Sequence, residues 1–137
     1  MDTQYATLLV AQWDPGSRRL LFANAGAEPP LVCRGTEILK PKVEGVPIGL
    51  LEDREYEEVE FVLQRGDTAV FYSDGVEDQV DEAGEDYTRA RLGRLLVKHC
   101  HESPQEIADA VIQDLDRFRD GTPITDDQTV VVVNVLE

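Results

Sequence analysis

Positive charge is scarce in this 137-residue sequence: 13 Lys and Arg stand against 28 Asp and Glu, for a net charge of -15. That deficit argues against nucleic acid, whose phosphates such a surface repels, and against an anionic membrane surface. Cysteine is also rare. Cys33 and Cys100 stand far apart in unlike settings, and the expectation is two reduced thiols rather than a disulfide. The two histidines flank Cys100, but consecutive residues on a helix point about 100° apart and cannot share one zinc ion. Cys100 is therefore expected to pack inward and His99 and His101 to face solvent. No apolar run approaches the roughly 20 residues of a membrane-spanning helix. Met1-Asp2-Thr3 has neither the basic n-region nor the apolar h-region of a secretory leader, so a cytoplasmic protein is expected. Phosphate-binding glycine loops of the Walker or dinucleotide type are missing. Ser73 lacks the glycine two residues before it that a nucleophile elbow needs, and no histidine is placed to form a triad with it. An EF-hand starting at Asp74 fails at Val76 and Gln79, where an oxygen ligand and a glycine are required.

What is present reads as one domain with a real core. Tyr5 to Trp13 is rich in β-formers and runs through the turn Asp14-Pro15-Gly16 into Arg19 to Ala25, which predicts a hairpin. Short strands are expected at Leu31 to Arg34 and Glu37 to Leu39, followed by an irregular loop over residues 40–54. Two more are expected at Tyr56 to Leu63 and Thr68 to Tyr72. Helical spacing then takes over. Ala90, Leu92, Leu95, Leu96 and Cys100 mark one helix. The next starts at a capping box, with Ser103 as N-cap, Pro104 at N1 and Glu106 at N3. Its expected buried stripe is Ile107, Ala108, Val111, Ile112, Leu115 and Phe118. Asp120-Gly121-Thr122-Pro123 ends this helix, and Thr129 to Leu136 is a returning strand. Strands, two helices and a final strand indicate an α+β fold, with helices packed on a mainly antiparallel sheet.

The acidic surplus lies entirely after residue 51, and Asp74 to Asp86 holds seven carboxylates and no basic side chain. Within it, Ser73-Asp74-Gly75-Val76 closes one apolar strand, while Asp126-Asp127-Gln128-Thr129 opens another. An aspartate at a strand end is a hard oxygen donor on a rigid mount, suited to a divalent cation. Glycine after the first aspartate lets a backbone come close. Each motif alone also describes an ordinary solvated turn. The five arginines Arg18, Arg19, Arg34, Arg54 and Arg65 read as surface residues, and no substrate-binding residue is assigned.

Four blocks run in order: Asn24-Ala25-Gly26-Ala27-Glu28-Pro29-Pro30, Gly45-Val46-Pro47-Ile48-Gly49-Leu50, Gly66 to Val76, and Asp126-Asp127-Gln128-Thr129-Val130. This succession resembles the PPM (protein phosphatase 2C-like) serine/threonine phosphatases, in their bacterial stage II sporulation protein E-like branch, across residues 5–136. The resemblance implies a portion of an αββα sandwich, two antiparallel sheets with helices outside, around two Mn2+ or Mg2+ ions. It implies hydrolysis of phosphoserine or phosphothreonine, with a phosphorylated anti-sigma factor antagonist in partner-switching signalling as the usual substrate. Carried over by motif, Asp74 and Asp126 would be metal ligands, with Asp127 and Gly75 as supporting or alternate ligands.

Two departures qualify the likeness. Ala27-Glu28 stands where the family has histidine, in Ala-Gly-His-Pro-Pro. The family's earlier aspartate-bearing strand and its Asp-Val-x-Gly-His-Gly block do not occur in residues 1–137, so the chain is expected to be the C-terminal portion of a single phosphatase domain. Two aspartates are too few for a binuclear centre; weak manganese binding and slow or absent hydrolysis by these residues alone are expected. Bare sheet edges then make a homodimer a further expectation. The alternative reading is a non-catalytic phosphatase-like interaction module.

Overall fold

The computed structural model describes residues 4–136. Their elements are β1 (Leu8–Asp14), β2 (Arg19–Ala25), β3 (Leu31–Arg34), β4 (Glu37–Leu39), β5 (Glu58–Val62), β6 (Thr68–Tyr72), α1 (Asp74–Glu77), α2 (Arg89–His99), α3 (Pro104–Arg119) and β7 (Val130–Asn134). The fold class is α+β with antiparallel sheets, as the sequence indicates. Two compact units share the chain: one runs up to Pro29 and resumes over Pro41–Gln64, the other comprises Pro30–Lys40 and the residues from Arg65 onward.

The first unit is a three-stranded antiparallel sheet in the order β1-β2-β5. Its hairpin turn is closed by Asp14, whose carboxylate accepts from the Gly16 amide at 3.0 Å and the Ser17 hydroxyl at 2.8 Å. In β2, Leu20, Phe22 and Asn24 alternate on one buried face. β1 is an edge strand and is exposed at nearly every position. Its pairing begins at Leu8, later than the sequence suggests.

The second unit is a four-stranded antiparallel sheet in the order β4-β3-β6-β7. Leu31 and Cys33 of β3, Val70 and Tyr72 of β6, and Val130 and Val132 of β7 join one cluster with Leu92, Leu95 and Leu96 of α2 and Ile107, Val111 and Leu115 of α3. The period-2 faces of three strands thus meet the stripes of two helices. The capping box forms as predicted: Ser103 Oγ accepts from the Glu106 amide and Glu106 Oε2 from the Ser103 amide. Ala90 and Ile112, expected in the stripes, are exposed. Ala90 lies about 200° round from Leu92, and Ile112 about 100° round from Val111, at 100° per residue.

Two expectations are corrected here. Cys33 and Cys100 form a disulfide, because the β3 face and the C-terminal end of α2 meet with 5.7 Å between their Cα atoms. Sixty-seven residues of separation hide that proximity. Arg34 is not a free surface residue either: its guanidinium grips Asp67, with Nη2 at 2.7 Å and Nε at 3.1 Å, and the Asp67 side chain is only 2% exposed. An opposite charge and several hydrogen bonds are what permit a carboxylate at such depth.

Candidate metal centre

Strand register brings the two aspartate motifs together. β6 and β7 pair antiparallel with Tyr72 opposite Val130. The residues just after β6 must therefore lie beside those just before β7. Ser73 locks this junction. Its amide donates to the Thr129 carbonyl at 3.0 Å, while its hydroxyl donates to the Asp127 carbonyl at 3.0 Å and accepts from the Thr129 amide at 2.9 Å. Ser73, which the sequence already excludes as a nucleophile, is thus a strut between the two loops.

After Ser73 the chain turns at once into the single turn α1, a helix the sequence does not predict. Asp74 heads it and is exposed; Gly75 and Val76 are buried. Gly75 has no positive φ, so conformational freedom does not explain the glycine. Closeness does. A Cβ at this position would overlap the carbonyl oxygen of Asp127 and lie 3.2 Å from that of Asp126. The Asp126–Asp127 backbone rests directly on α1.

Asp126 and Asp127 are exposed, and Asp126 Oδ1 accepts from the Asp127 amide at 2.8 Å. Asp78 reports how acidic the place is. Partial desolvation, then the charges of Asp74, Asp86 and Asp126, push its carboxyl above the usual carboxylate range. A single side chain senses aspartates from both motifs, so the predicted ligands Asp74 and Asp126 share one neighbourhood. Asp78 was signalled only by its place in the acidic run.

Two glutamines tie the motifs further. Gln128 Nε2 donates to the Gly75 carbonyl at 3.2 Å and to Gln79 Oε1 at 2.8 Å. Gln79 is buried and donates to the carbonyls of Val80 at 2.9 Å and Pro123 at 3.3 Å. Gln128 was visible within the Asp-Asp-Gln-Thr block; Gln79 had no signal beyond being uncharged in an acidic run. Behind them, Tyr72 donates to Glu77 Oε2 at 2.8 Å and accepts from Arg89. Burial, the leading cause, raises the Tyr72 phenol far above its ordinary range and keeps it a donor.

Clustered carboxylates that repel one another match a hard divalent cation in chemistry. In number they fall short: among the described residues no group of three or more His, Cys, Asp or Glu side chains is arranged to hold a metal ion. Asp74 and Asp126 contribute two exposed carboxylates to this neighbourhood and do not by themselves complete a ligand set.

The first two sequence blocks have a structural use in the other unit. Asn24 Nδ2 donates to Ala27 and Val43 carbonyls at 2.7 and 3.0 Å, and its Oδ1 accepts from the Ala27 amide at 2.8 Å. A Cβ at Gly45 would collide with the Asn24 carbonyl, so the two blocks interlock through bare backbone.

Comparison with known proteins identifies the family. The family described as Stage II sporulation protein E (SpoIIE) matches residues 1–136. Stage II sporulation protein E of Bacillus subtilis is 32% identical over 135 residues, covering 98% of this chain and 16% of that protein. Phosphoserine phosphatase RsbU of the same species is 26% identical over 133 residues, covering 96% of this chain and 39% of that protein. The solved phosphatase domain of the cell fate determinant SpoIIE from Bacillus subtilis, presoaked with Mn, superimposes with a TM-score of 0.77 at 27% identity. That match covers 96% of this chain and 57% of the solved one. The chain thus spans well under half the length of these two curated relatives. The match over residues 1–136 decides the family, and the superposition decides the fold class: the chain has an α+β fold matching part of solved PP2C phosphatase domains and belongs to the stage II sporulation protein E (SpoIIE) family.

Proposed function

We propose that this chain is the C-terminal portion of a Mn2+- or Mg2+-dependent phosphoprotein phosphatase acting on phosphoserine or phosphothreonine. The convergence of Asp74 and Asp126 at the β6–β7 junction carries this reading. Both carboxylates are exposed and rigidly mounted, as ligands of an accessible ion must be. When bound, paired divalent cations supply an activated water and neutralise charge on the phosphoryl oxygens. The chain's own residues do the holding. Asp74 and Asp126 present oxygens, Asp127 lends its carbonyl to Ser73, and the Gly75 carbonyl, engaged by Gln128, braces the pair.

The RsbU relative, named a phosphoserine phosphatase, supports a phosphoprotein substrate, and an anti-sigma factor antagonist in partner-switching signalling is the proposed one. The reading has the protein act in the cytoplasm. The exposed edge strand β1, with Leu8 and Val10 open to solvent, supports self-association as a homodimer. By themselves residues 1–137 are proposed to bind Mn2+ weakly and to hydrolyse phosphoester slowly or not at all.

The test is Mn2+ titration followed by electron paramagnetic resonance, alongside hydrolysis of a phosphoserine protein. Asp74→Asn and Asp126→Asn should each abolish the binding and leave circular dichroism unchanged. Mn2+ affinity that survives both substitutions refutes the assignment. One observation favours a second reading, a non-catalytic interaction module: the described residues contain no three-ligand cluster. A phosphoprotein that binds the chain independently of metal and of Asp74 would decide for it.

A further inference from the structure

The Asp126 loop is gripped at both ends by one buried side chain. Gln79 donates to Pro123 at the start of the 123–128 segment and accepts from Gln128 at its end. Gln128 in turn donates to the Gly75 carbonyl, one residue past Asp74. Both amide groups use their donors twice, and among the described residues no buried side-chain nitrogen or oxygen lacks a partner. We propose that the Gln79–Gln128 amide pair is the positioning element that sets the spacing of Asp74 and Asp126 for a divalent cation. This rests on the metal-centre reading above and deepens it.

Chemistry explains why amides stand here. The loop must be held against α1 in a place where Asp74, Asp78, Asp86 and Asp126 already repel. An amide bridges a carbonyl and another amide, offering donor and acceptor together, and adds no charge. Glutamate at position 79 would bring another carboxylate and lose the donor to Pro123 and Val80. Lysine at position 128 would keep a donor but place a fixed cation where the metal's charge is needed. Gln79 is buried and its contacts span 44 and 49 residues, so its hold is tertiary rather than local. Groups that orient ligands without touching the ion typically change metal affinity by about 10–100-fold when removed.

The experiment uses the 137-residue chain and MnCl2, with Gln79→Met, Gln128→Met and the double substitution beside Asp74→Asn and Asp126→Asn. Mn2+ affinity is read by electron paramagnetic resonance well below each variant's thermal midpoint. Backbone amide exchange of Ser73 and Thr129 supplies a readout that needs no metal. The expected result is a loss of about tenfold in Mn2+ affinity for either methionine variant, with native circular dichroism. The double variant should lose little more than the singles, because the two amides act as one unit. Faster exchange at Thr129 should accompany the loss. A lowered midpoint with Mn2+ affinity within twofold of the parent would make the pair merely structural and overturn the inference. If the aspartate variants lose binding while the methionine variants keep it, this inference alone falls. If the aspartate variants keep binding too, or the parent binds no Mn2+ at millimolar concentration, the metal-centre reading falls and takes this inference with it.

Discussion

Replacing Gly75 by alanine sets two effects of opposite sign against each other. Gly75 lies inside α1 with an ordinary backbone conformation, so helix propensity by itself makes alanine more stable by about 1 kcal/mol. The tertiary surroundings oppose this. The new methyl would overlap the Asp127 carbonyl oxygen, with the Asp127 carbonyl carbon at 3.0 Å and the Asp126 carbonyl oxygen at 3.2 Å. These are backbone atoms of a loop pinned by Ser73, Gln79 and Gln128, and no rotamer change moves them aside. Restoring contact distances of about 3.5 Å requires the loop to retreat by roughly 1 Å. Overpacking of this kind costs about 1–3 kcal/mol. With a backbone oxygen overlapped rather than merely crowded, the steric cost falls toward its upper end, so Gly75→Ala should be destabilised by up to about 2 kcal/mol net in urea unfolding followed by circular dichroism. The retreat also carries Asp126 away from Asp74, so Mn2+ affinity should fall about tenfold or more. A variant that is more stable than the parent, or that keeps its Mn2+ affinity, refutes the claim that this glycine exists for close approach.

Two further outcomes follow from the second unit's interior. Arg34→Met leaves the buried Asp67 carboxylate without its guanidinium and should cost about 3 kcal/mol in urea unfolding, whereas Arg34→Met with Asp67→Leu should recover most of it. A loss below 0.5 kcal/mol, roughly what a surface substitution gives, would contradict the pairing. The Cys33–Cys100 disulfide closes a loop of 67 residues in separation, and its reduction, or Cys33→Ala with Cys100→Ala, should lower stability by about 4 kcal/mol. Two thiols reacting with a thiol reagent in the native chain before any reductant is added would show that the bond is not formed.

Much of the fold was legible because local rules and global packing agree. β2, β3, β4 and β6 have the bounds their apolar patterns and flanking turns suggest, and α3 starts at its capping box. The strand ends near residues 5, 56 and 136 were not, since pairing partners decide where a strand stops. α1 was missed because four residues are too few to show a helical period. In the candidate site, Asp74 and Asp126 announced themselves by strand-end position and motif. Ser73 was excluded as a nucleophile by its sequence context, but its role as a strut had no local signal. Gln79 and Asp78 could not be singled out, because their importance lies in partners and charges that are remote in sequence.

Sequence by itself determined the α+β class, the helix start at Ser103, the acidity of residues 74–86 and the two aspartates set at strand ends. Those follow from periodicity, capping and composition, which act over a few residues. Tertiary structure decided that Tyr72 faces Val130, and so that the two aspartate motifs lie side by side, with the Asp126–Asp127 backbone against Gly75. It also decided that Cys33 reaches Cys100, that Arg34 holds Asp67, and that Gln79 spans the loop from Pro123 to Gln128. These depend on strand register and on which faces pack together, quantities that no local pattern in the chain encodes.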